Sequence, residues 1–190
     1  MQSEAVLQHF TTSGALLEGH FILSSGLHSP LYLQCALALQ QPTDAELFGR
    51  AIAERFAGEA FDTVVSPAIG GLVIGYETAR ALDARFIWTE REAGTMTLRR
   101  GFAVEPDERV LIIEDVITTG GSTRETIEAI SKYGVNVIGA ASIIDRSNGA
   151  ADVGVPRLAL ATLDVPTYSP ENCPLCAGGD IAVKPGSRKG

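Results

Sequence analysis

The sequence is poor in basic residues, which limits the partners it could bind. Its 15 lysines and arginines stand against 23 aspartates and glutamates, so the formal net charge is −8 and the pI is about 4.9. Proteins that track nucleic-acid phosphates need clustered Lys and Arg. We therefore expect no nucleic-acid partner, and any polyanion bound here must be small and locally recognised.

Long apolar runs are also missing. Stretches such as residues 110–113 are far shorter than the roughly 20 apolar residues that span a bilayer, and the N-terminus lacks the basic and apolar stretches of a signal peptide. With 45% apolar residues, the 190-residue chain can bury one α/β core. We expect one soluble, cytoplasmic catalytic domain with no membrane partner.

Cysteine is scarce, and the three that occur, Cys35, Cys173 and Cys176, cannot form a complete intrachain disulfide framework. Cys173-Pro-Leu-Cys176 has the spacing of half a zinc site. Zinc takes four ligands, however, and no second Cys or His pair lies near it in the sequence. A thioredoxin-like role is disfavoured because the pair lies in a tail rich in Pro and Gly. We expect two plain thiols and no protein-bound metal.

The chain shows helix and strand patterns in alternation from residue 43 onward. Thr43-Asp44-Ala45-Glu46 reads as a capping box opening a helix to residue 56. Strands are predicted at 63–66, 85–88, 109–113, 135–144 and 158–163, and helices at 72–82 and 123–133. Such alternation predicts a mostly parallel central sheet flanked by helices. Ligands then bind beyond the carboxyl ends of the strands, in the loops after Ser66, Ile113 and Ile144.

The flanking segments look smaller. A helix beginning at Ser3 and ending before Gly14, a strand at 21–23 leading into the turn Ser24-Ser25-Gly26, and an extended stretch from Tyr32 suggest an accessory hood. We divide the chain into an N-terminal hood with the first helix (1–42), an α/β core (43–165) and an irregular C-terminal tail (166–190).

The chemistry is concentrated behind the apolar run 110–113, where Glu114 and Asp115 are followed by a stretch of glycines and hydroxyl residues. Glycines there let backbone N–H groups form a concavity, and the next helix adds its positive end, which predicts a monophosphate cradle. The lysine of a G-x-x-x-x-G-K-[ST] loop is missing, and no G-x-G-x-x-G follows a strand, so a P-loop ATPase and a dinucleotide fold are disfavoured. The alternative is that the acids only cap a strand before a plain turn.

Carboxylates beside a phosphate cradle must face something other than phosphate. Ribose hydroxyls and a hydrated Mg²⁺ are suitable partners. Residues 110–123 as a whole resemble the phosphoribosyl-pyrophosphate motif of the type I phosphoribosyltransferases. The resemblance implies that Glu114 and Asp115 bind ribose hydroxyls in a Mg²⁺-dependent reaction. It also implies that the following loop binds the 5′-phosphate of phosphoribosyl pyrophosphate (PRPP), through Val116, Ile117, Thr118, Thr119, Gly120, Gly121 and Ser122.

A second loop, Ser66-Pro67-Ala68-Ile69-Gly70-Gly71, resembles the pyrophosphate loop of that family, although Gly-Gly at such a turn can also be simple tight packing. The segment from Glu90 to Gly101 resembles its flexible loop or hairpin. Arginine suits pyrophosphate because its planar fork donates parallel hydrogen bonds. We count Arg91 as catalytic with Glu114 and Asp115, while Arg99 and Arg100 could equally be an ordinary solvated pair.

The order of parts is most similar to the branch of the family that acts on orotate. The hood turn and the strand end Ile143-Ile144-Asp145-Arg146 match it, which implies orotate binding by Ser25, Thr118 and Arg146, although Arg146 could be a plain surface arginine. Many members carry lysines where this chain has Ser24 and Gly70, and Lys and His residues where it has 93–97. The resemblance implies transfer of the phosphoribosyl group to orotate in UMP biosynthesis, by a homodimer with shared active sites. The alternatives are another base or a non-catalytic PRPP-sensing module.

Overall fold

The computed structural model describes residues 1–23 and 25–185. Ser24, which we assigned to the hood turn, lies outside the described residues. None of the described helices is long and apolar enough to cross a membrane. The helices are α1 (Ser3–Thr12), α2 (Cys35–Ala38), α3 (Pro42–Arg55), α4 (Gly71–Leu82), α5 (Gly121–Ser131) and α6 (Pro174–Ala177). The strands are β1 (Leu16–Ile22), β2 (His28–Leu33), β3 (Thr63–Pro67), β4 (Arg85–Glu92), β5 (Thr95–Leu98), β6 (Arg109–Ile117), β7 (Asn136–Asp145) and β8 (Arg157–Thr162).

The central sheet has the strand order β5-β4-β3-β6-β7-β8. All neighbours run parallel except β4 and β5, which form an antiparallel hairpin at one edge. This confirms the predicted α/β class with a mostly parallel sheet. The chain order reverses between β3 and β6, and such a switch point opens a crevice at the carboxyl ends of the strands, where ligands bind in folds of this kind.

Helices cover both faces of the sheet, as alternate residues of β6 illustrate. Leu111 and Ile113 belong to the cluster that includes residues of α1, α3 and α4, whereas Val110 and Ile112 belong to the cluster that includes Ile130 of α5. Successive strand side chains point to opposite faces, so a strand buried on both sides must be apolar throughout. The two clusters fix β6, and with it the residues at its end, in the middle of the fold.

Two sequence-based boundaries are wrong in ways that matter. Helix α3 begins at Pro42 after Gln41, and no side chain caps it, so the Thr43 capping box is not formed. Proline is preorganised for the first helical turn, where its missing N–H is not needed. Strand β6 continues to Ile117 instead of ending at Ile113, because its pairing with β7 extends to Asp145.

The hood hairpin (β1 and β2) is joined to the C-terminal tail. β1 and β2 pair antiparallel, and the tail adds isolated bridges from Val183 to Phe21 and from Tyr168 to His28. Between those bridges lie a turn of 3-10 helix and α6. The described part of the tail is therefore not simply irregular. No His pair is near Cys173 and Cys176 in the sequence, but in the fold His20 and His28 of the hairpin lie beside them, so the argument that the second half of a site is missing is wrong.

Candidate active site

Two loops meet at the carboxyl end of β6. A Cβ placed on Gly70 would lie 2.8 Å from Oδ1 of Asp115, and one on Gly71 would lie 3.2 Å from Oε1 of Glu114. A Cβ on Gly71 would also lie 2.9 Å from the backbone oxygen of Ile113, so the loop after β3 approaches the acids this closely only because it carries glycines. The loop therefore lies directly against the acid pair, which accounts for Gly70-Gly71 by close approach and not merely by a tight turn.

The acid pair is electrostatically unfavourable without a ligand. Burial and the neighbouring Asp115 raise the pKa of Glu114 to about 9. The backbone N–H groups of Asp115 and Val116 donate to Glu114 Oε1 at 3.2 Å and to Asp115 Oδ1 at 2.8 Å. Two adjacent carboxylates in a buried position need a donor or cation to be stable when both are ionised. The arrangement suits a ligand that supplies hydroxyl donors or positive charge.

The loop between β6 and α5 encloses a small cavity of about 120 Å³, lined by Glu114 and residues 116–123. Gly120 precedes α5 with φ of 74°, and a Cβ there would lie 2.8 Å from Val153. A glycine is thus required by both conformation and space. The first N–H groups of α5 have no partner within the helix and carry the positive end of its dipole, so the cavity is suited to a phosphate group.

A second hollow of about 320 Å³ lies on the other side of the glycine loop, and its lining includes Ala68, Ile69, Arg91 and Arg100. The segment from Glu90 to Gly101 contains the β4–β5 hairpin, and its Met96 is buried, which anchors the hairpin to the core. Arg100 pairs with Glu90. Such exposed pairs contribute little to stability, so a pyrophosphate could displace the acid at small cost.

Arg91 lines the same hollow as Arg100 but is paired with a different glutamate. Its guanidinium forms an ion pair with Glu125 of α5 and donates to the backbone oxygen of Gly94 at 3.0 Å. Arg99 lies 3.2 Å from Glu92. All three arginines are thus near the hairpin, and each forms an ion pair with a glutamate.

Arg146 follows β7 and lies beside the loop between β6 and α5, because its backbone N–H donates to the oxygen of Ile117 at 2.8 Å. Its Nε is buried, and no group in the described part of the chain accepts a hydrogen bond from it. Burial lowers the pKa of Arg146, which the neighbouring Cys35 and Tyr32 oppose. A buried guanidinium N–H without an acceptor is costly, so it indicates a missing anionic or carbonyl ligand.

The hydrogen bond described for Ser25 is local and does not connect it to Arg146 or the acid pair. Ser25 is exposed in the β1–β2 turn, where its Oγ accepts a hydrogen bond from the N–H of Leu27 at 3.4 Å. Its predicted role in base binding stays a prediction. Thr118, by contrast, lines the phosphate cavity beside Ile117, the residue to which Arg146 is bonded.

Comparisons with known proteins agree with this geometry. A model of the phosphoribosyl transferase domain matches residues 39–156. The orotate phosphoribosyltransferase of Pelotomaculum thermopropionicum is 55% identical over 189 residues, covering 100% of both chains. The chain belongs to the orotate phosphoribosyltransferase family.

Solved structures agree on the fold of this family. The orotate phosphoribosyltransferase of Aeropyrum pernix has a TM-score of 0.69 at 27% identity, covering 83% of this chain and 93% of that one. The UMP synthase of Leishmania donovani has a TM-score of 0.72 at 24% identity and covers 85% of this chain. This chain spans only 36% of that longer protein, so the second likeness concerns the fold alone.

Two residues at the site were missed by the sequence-based reasoning. Cys35 is buried, and burial together with Asp115 and Glu114 raises the pKa of its thiol, so it stays neutral beside the acids. Asp145 bonds the N–H groups of Ser147 and Gly149 and the guanidinium of Arg157, which holds the turn that carries Arg146. Nothing in the sequence around Cys35 indicated a place at the site. Asp145 could have been found, because it directly precedes Arg146 at a predicted strand end.

Glu114→Gln should stabilise the ligand-free protein increasingly as pH rises from 5 to 8. The folded pKa of Glu114, about 9, exceeds the ordinary value of 4.5. Its penalty is therefore absent at low pH and grows by up to about 1.4 kcal/mol for each pH unit above the unfolded value, until the folded value is reached. Melting temperatures without PRPP or added Mg²⁺ measure the difference, with the exposed Glu128→Gln as the matched loss of one carboxylate. A difference between Glu114→Gln and wild type that is flat across pH would contradict the repulsion.

Proposed function

We propose that this chain transfers the 5-phosphoribosyl group from PRPP to orotate, giving orotidine 5′-phosphate and pyrophosphate in de novo pyrimidine biosynthesis. Full-length relatives at 55% and 51% identity are orotate phosphoribosyltransferases. The observation that carries the proposal is the buried Arg146 Nε without an acceptor, beside a phosphate cavity and an acid pair. A guanidinium there suits the carbonyl or carboxylate of an anionic pyrimidine.

Each predicted site residue has a place in this proposal. Glu114 and Asp115 accept hydrogen bonds from the ribose hydroxyls, and the loop 116–122 with the start of α5 holds the 5′-phosphate. The loop around Gly70 and Arg91 hold the pyrophosphate. Arg146 binds orotate, with Thr118 and Ser25 as further contacts. The acid pair lies between the small cavity, which Glu114 lines, and the glycine loop, which Asp115 adjoins. In the proposal the ribose lies over the acid pair and joins the 5′-phosphate to the pyrophosphate.

The reaction requires no protein nucleophile. A ring nitrogen of the base bonds to C1 of the ribose as the C1–O bond to pyrophosphate breaks, and the sugar carries positive charge between the two events. The carboxylate of Asp115 lies where it can stabilise that charge through the hydroxyl it holds. The arginines of the hairpin neutralise the departing pyrophosphate, and the two loops align the reactants.

Mg²⁺ fits this site, and we propose it as the cofactor. Glu114 and Asp115 offer hard oxygen ligands with an excess of negative charge, which is the donor chemistry that Mg²⁺ prefers. When bound, Mg²⁺ would neutralise charge on the pyrophosphate of the substrate.

We further propose that the active form is a homodimer. An apolar patch lies beside the hollow that Ala68 and Arg100 line. It consists of Leu72, Val73, Tyr76, Phe86 and Trp88, with Tyr76 58% exposed. Exposed apolar patches of this kind mark interaction surfaces. The patch adjoins the hollow that Arg91 and Arg100 line, so a second copy seated there would bring its own arginines close to the site.

The cytoplasm suits this enzyme. The three cysteines are free thiols, and Cys35 is placed beside the acid pair, where oxidation would disturb the site. A reducing compartment keeps such thiols intact.

Pyrophosphate release in the presence of PRPP and Mg²⁺ should occur with orotate and fail with adenine, guanine or hypoxanthine. The guanidinium of Arg146 favours an anionic pyrimidine over neutral purines. Initial rates for each single base measure the preference. Turnover of a purine at comparable efficiency would show that orotate is not the specific substrate. PRPP binding without turnover on any base would favour a PRPP-sensing module.

A further inference from the structure

Four side chains from opposite ends of the chain converge between the hood hairpin and the tail. His20 lies on β1, His28 begins β2, Cys173 precedes α6 and Cys176 lies in it. One ligand atom of each lies within 4.8 Å of the other three. His20, His28 and Cys173 are buried, while Cys176 is exposed. The cluster is separate from the active site, whose residues lie at the ends of β3, β6 and β7.

Four of the six distances between the ligand atoms lie within about 0.4 Å of the edges of a tetrahedral zinc site. Zinc bonds to nitrogen at about 2.0–2.1 Å and to sulfur at about 2.3 Å, so the edges of the tetrahedron measure about 3.3 Å (N–N), 3.6 Å (N–S) and 3.8 Å (S–S). His20 Nε2 lies 2.9 Å from His28 Nδ1 and 3.4 Å from Cys173 Sγ. Cys176 Sγ lies 3.3 Å from His28 Nδ1 and 3.8 Å from His20 Nε2.

The surroundings orient the ligands. The other ring nitrogen of His20, Nδ1, lies 3.0 Å from the backbone oxygen of Asp180. That oxygen can only accept, so Nδ1 carries the proton and Nε2 presents its lone pair to the cluster. The backbone frame is fixed as well, since His28 and Tyr168 exchange two hydrogen bonds of 2.9 Å and the N–H of Val183 donates to the oxygen of His20 at 2.8 Å.

Simpler explanations leave part of this arrangement unexplained. A hydrogen bond between His20 and His28 accounts for one pair of ring nitrogens, but it does not explain why two sulfur atoms lie beside them. A disulfide between Cys173 and Cys176 would leave two imidazoles facing it. Two imidazoles and two sulfurs around one point are the ligand set that zinc prefers, whereas Mg²⁺ and Ca²⁺ prefer oxygen.

We propose that His20, His28, Cys173 and Cys176 bind a structural Zn²⁺ that fastens the hood hairpin to the C-terminal tail. All four positions are filled by protein, which is the pattern of a structural and not a catalytic zinc site. The two thiols bind as thiolates and release their protons on binding. The ion closes the long stretch of chain between His28 and Cys173, so it restrains the hood independently of any substrate.

The composition of the chain supplies its own controls. It contains three histidines and three cysteines, so His9 and Cys35 are the remaining members of each kind. The protein is purified without a histidine tag or chelator, and its zinc is measured by mass spectrometry of the elements. We expect one zinc per chain in wild type, His9→Gln and Cys35→Ser, and loss of nearly all zinc in His20→Gln, Cys173→Ser and Cys176→Ser.

A second readout uses the wild-type protein alone, so it does not depend on the folding of any variant. Chelation of the zinc should lower the melting temperature by roughly 5–15 °C, and added Zn²⁺ should restore it. Titration of the stripped protein with Co²⁺ should give the visible absorption of tetrahedral cobalt with thiolate ligands, saturating at one ion per chain. The same titration of His9→Gln should give the same spectrum.

Several results would overturn the proposal. Wild-type protein with no zinc as purified and no saturable Co²⁺ spectrum after stripping would exclude the site. Zinc retained in Cys173→Ser and Cys176→Ser but lost in Cys35→Ser would place the ion elsewhere. Because metal content and melting temperature are measured without PRPP or orotate, failure of the proposed transferase activity would leave this test unaffected.

Discussion

Asp115→Asn is expected to lower kcat/KM for phosphoribosyl transfer by roughly ten- to a thousandfold, the scale of one lost charge-assisted contact in a closed site. The carboxylate lies against Gly70 at the junction of the two loops, where the ribose is proposed to lie. Asparagine has almost the same shape but no charge to offset the positive charge that develops on the sugar. Steady-state kinetics with PRPP and orotate measure the loss.

The fold should survive this change. Asp115 contributes to the raised pKa of Glu114, so removing its charge relieves repulsion and the melting temperature should stay level or rise. Asp83→Asn is the matched control, because Asp83 is exposed at the end of α4 with φ of 53°, a conformation that asparagine adopts readily. If Asp115→Asn has wild-type kinetics, Asp115 serves only the strand end.

The parts of the site that sequence revealed are those in which neighbouring residues act together. Glu114, Asp115 and the loop to Ser122 are contiguous, so a phosphate-binding turn behind two acids could be inferred from the residues, whereas the role of each residue rests on the family resemblance and stays a prediction. The loop at Gly70 was also recognised, although only the structure gives the reason for its glycines, since a Cβ on Gly70 would lie 2.8 Å from Asp115. A sequence pattern predicts the geometry of the residues within it, but not which distant residues pack against them.

The extent of β6 was underestimated because a polar residue usually ends an apolar run. Glu114 and Asp115 stay in the strand since β7 continues to pair with them as far as Ile117 and Asp145. The capping box at Thr43 failed for a related reason, since Pro42 begins the helix one residue earlier. In both cases a neighbouring element or residue prevailed over the local pattern.

Contacts between distant residues were not predictable from one sequence. The cluster at His20 joins residues separated by more than half of the chain, and Cys173-Pro-Leu-Cys176 therefore looked like a motif lacking its second pair. Only the pairing of β1 and β2 with the tail brings the histidines to it. Buried Cys35 beside Asp115 is a second case, since a lone cysteine carries no spacing signal.

Mixing two nearly inactive variants is expected to restore activity if the sites are shared between subunits. Consider a mixed dimer of one Arg91→Ala chain and one Asp115→Asn chain. If each site takes its Arg91 from the neighbouring chain, one of the two sites carries both defects and the other carries neither. Activity should then rise toward half of wild type per mixed dimer. Both arginines are paired within their own chain, Arg91 with Glu125 of α5 and Arg100 with Glu90, and we propose that Arg91 is the one that reaches the neighbouring site.

The control pairs Arg100→Ala with Asp115→Asn, because an arginine that acts within its own chain leaves one defect in every site and mixing restores nothing. Glu90 and Arg91 are consecutive in β4, so their side chains leave opposite faces of the strand, and the two arginines are predicted to differ in this assay. Subunit exchange is followed independently with two fluorescent labels. No recovery despite exchange, or full activity from a monomer in sedimentation, would mean that Arg91 works within its own chain and that the Tyr76 patch has another purpose.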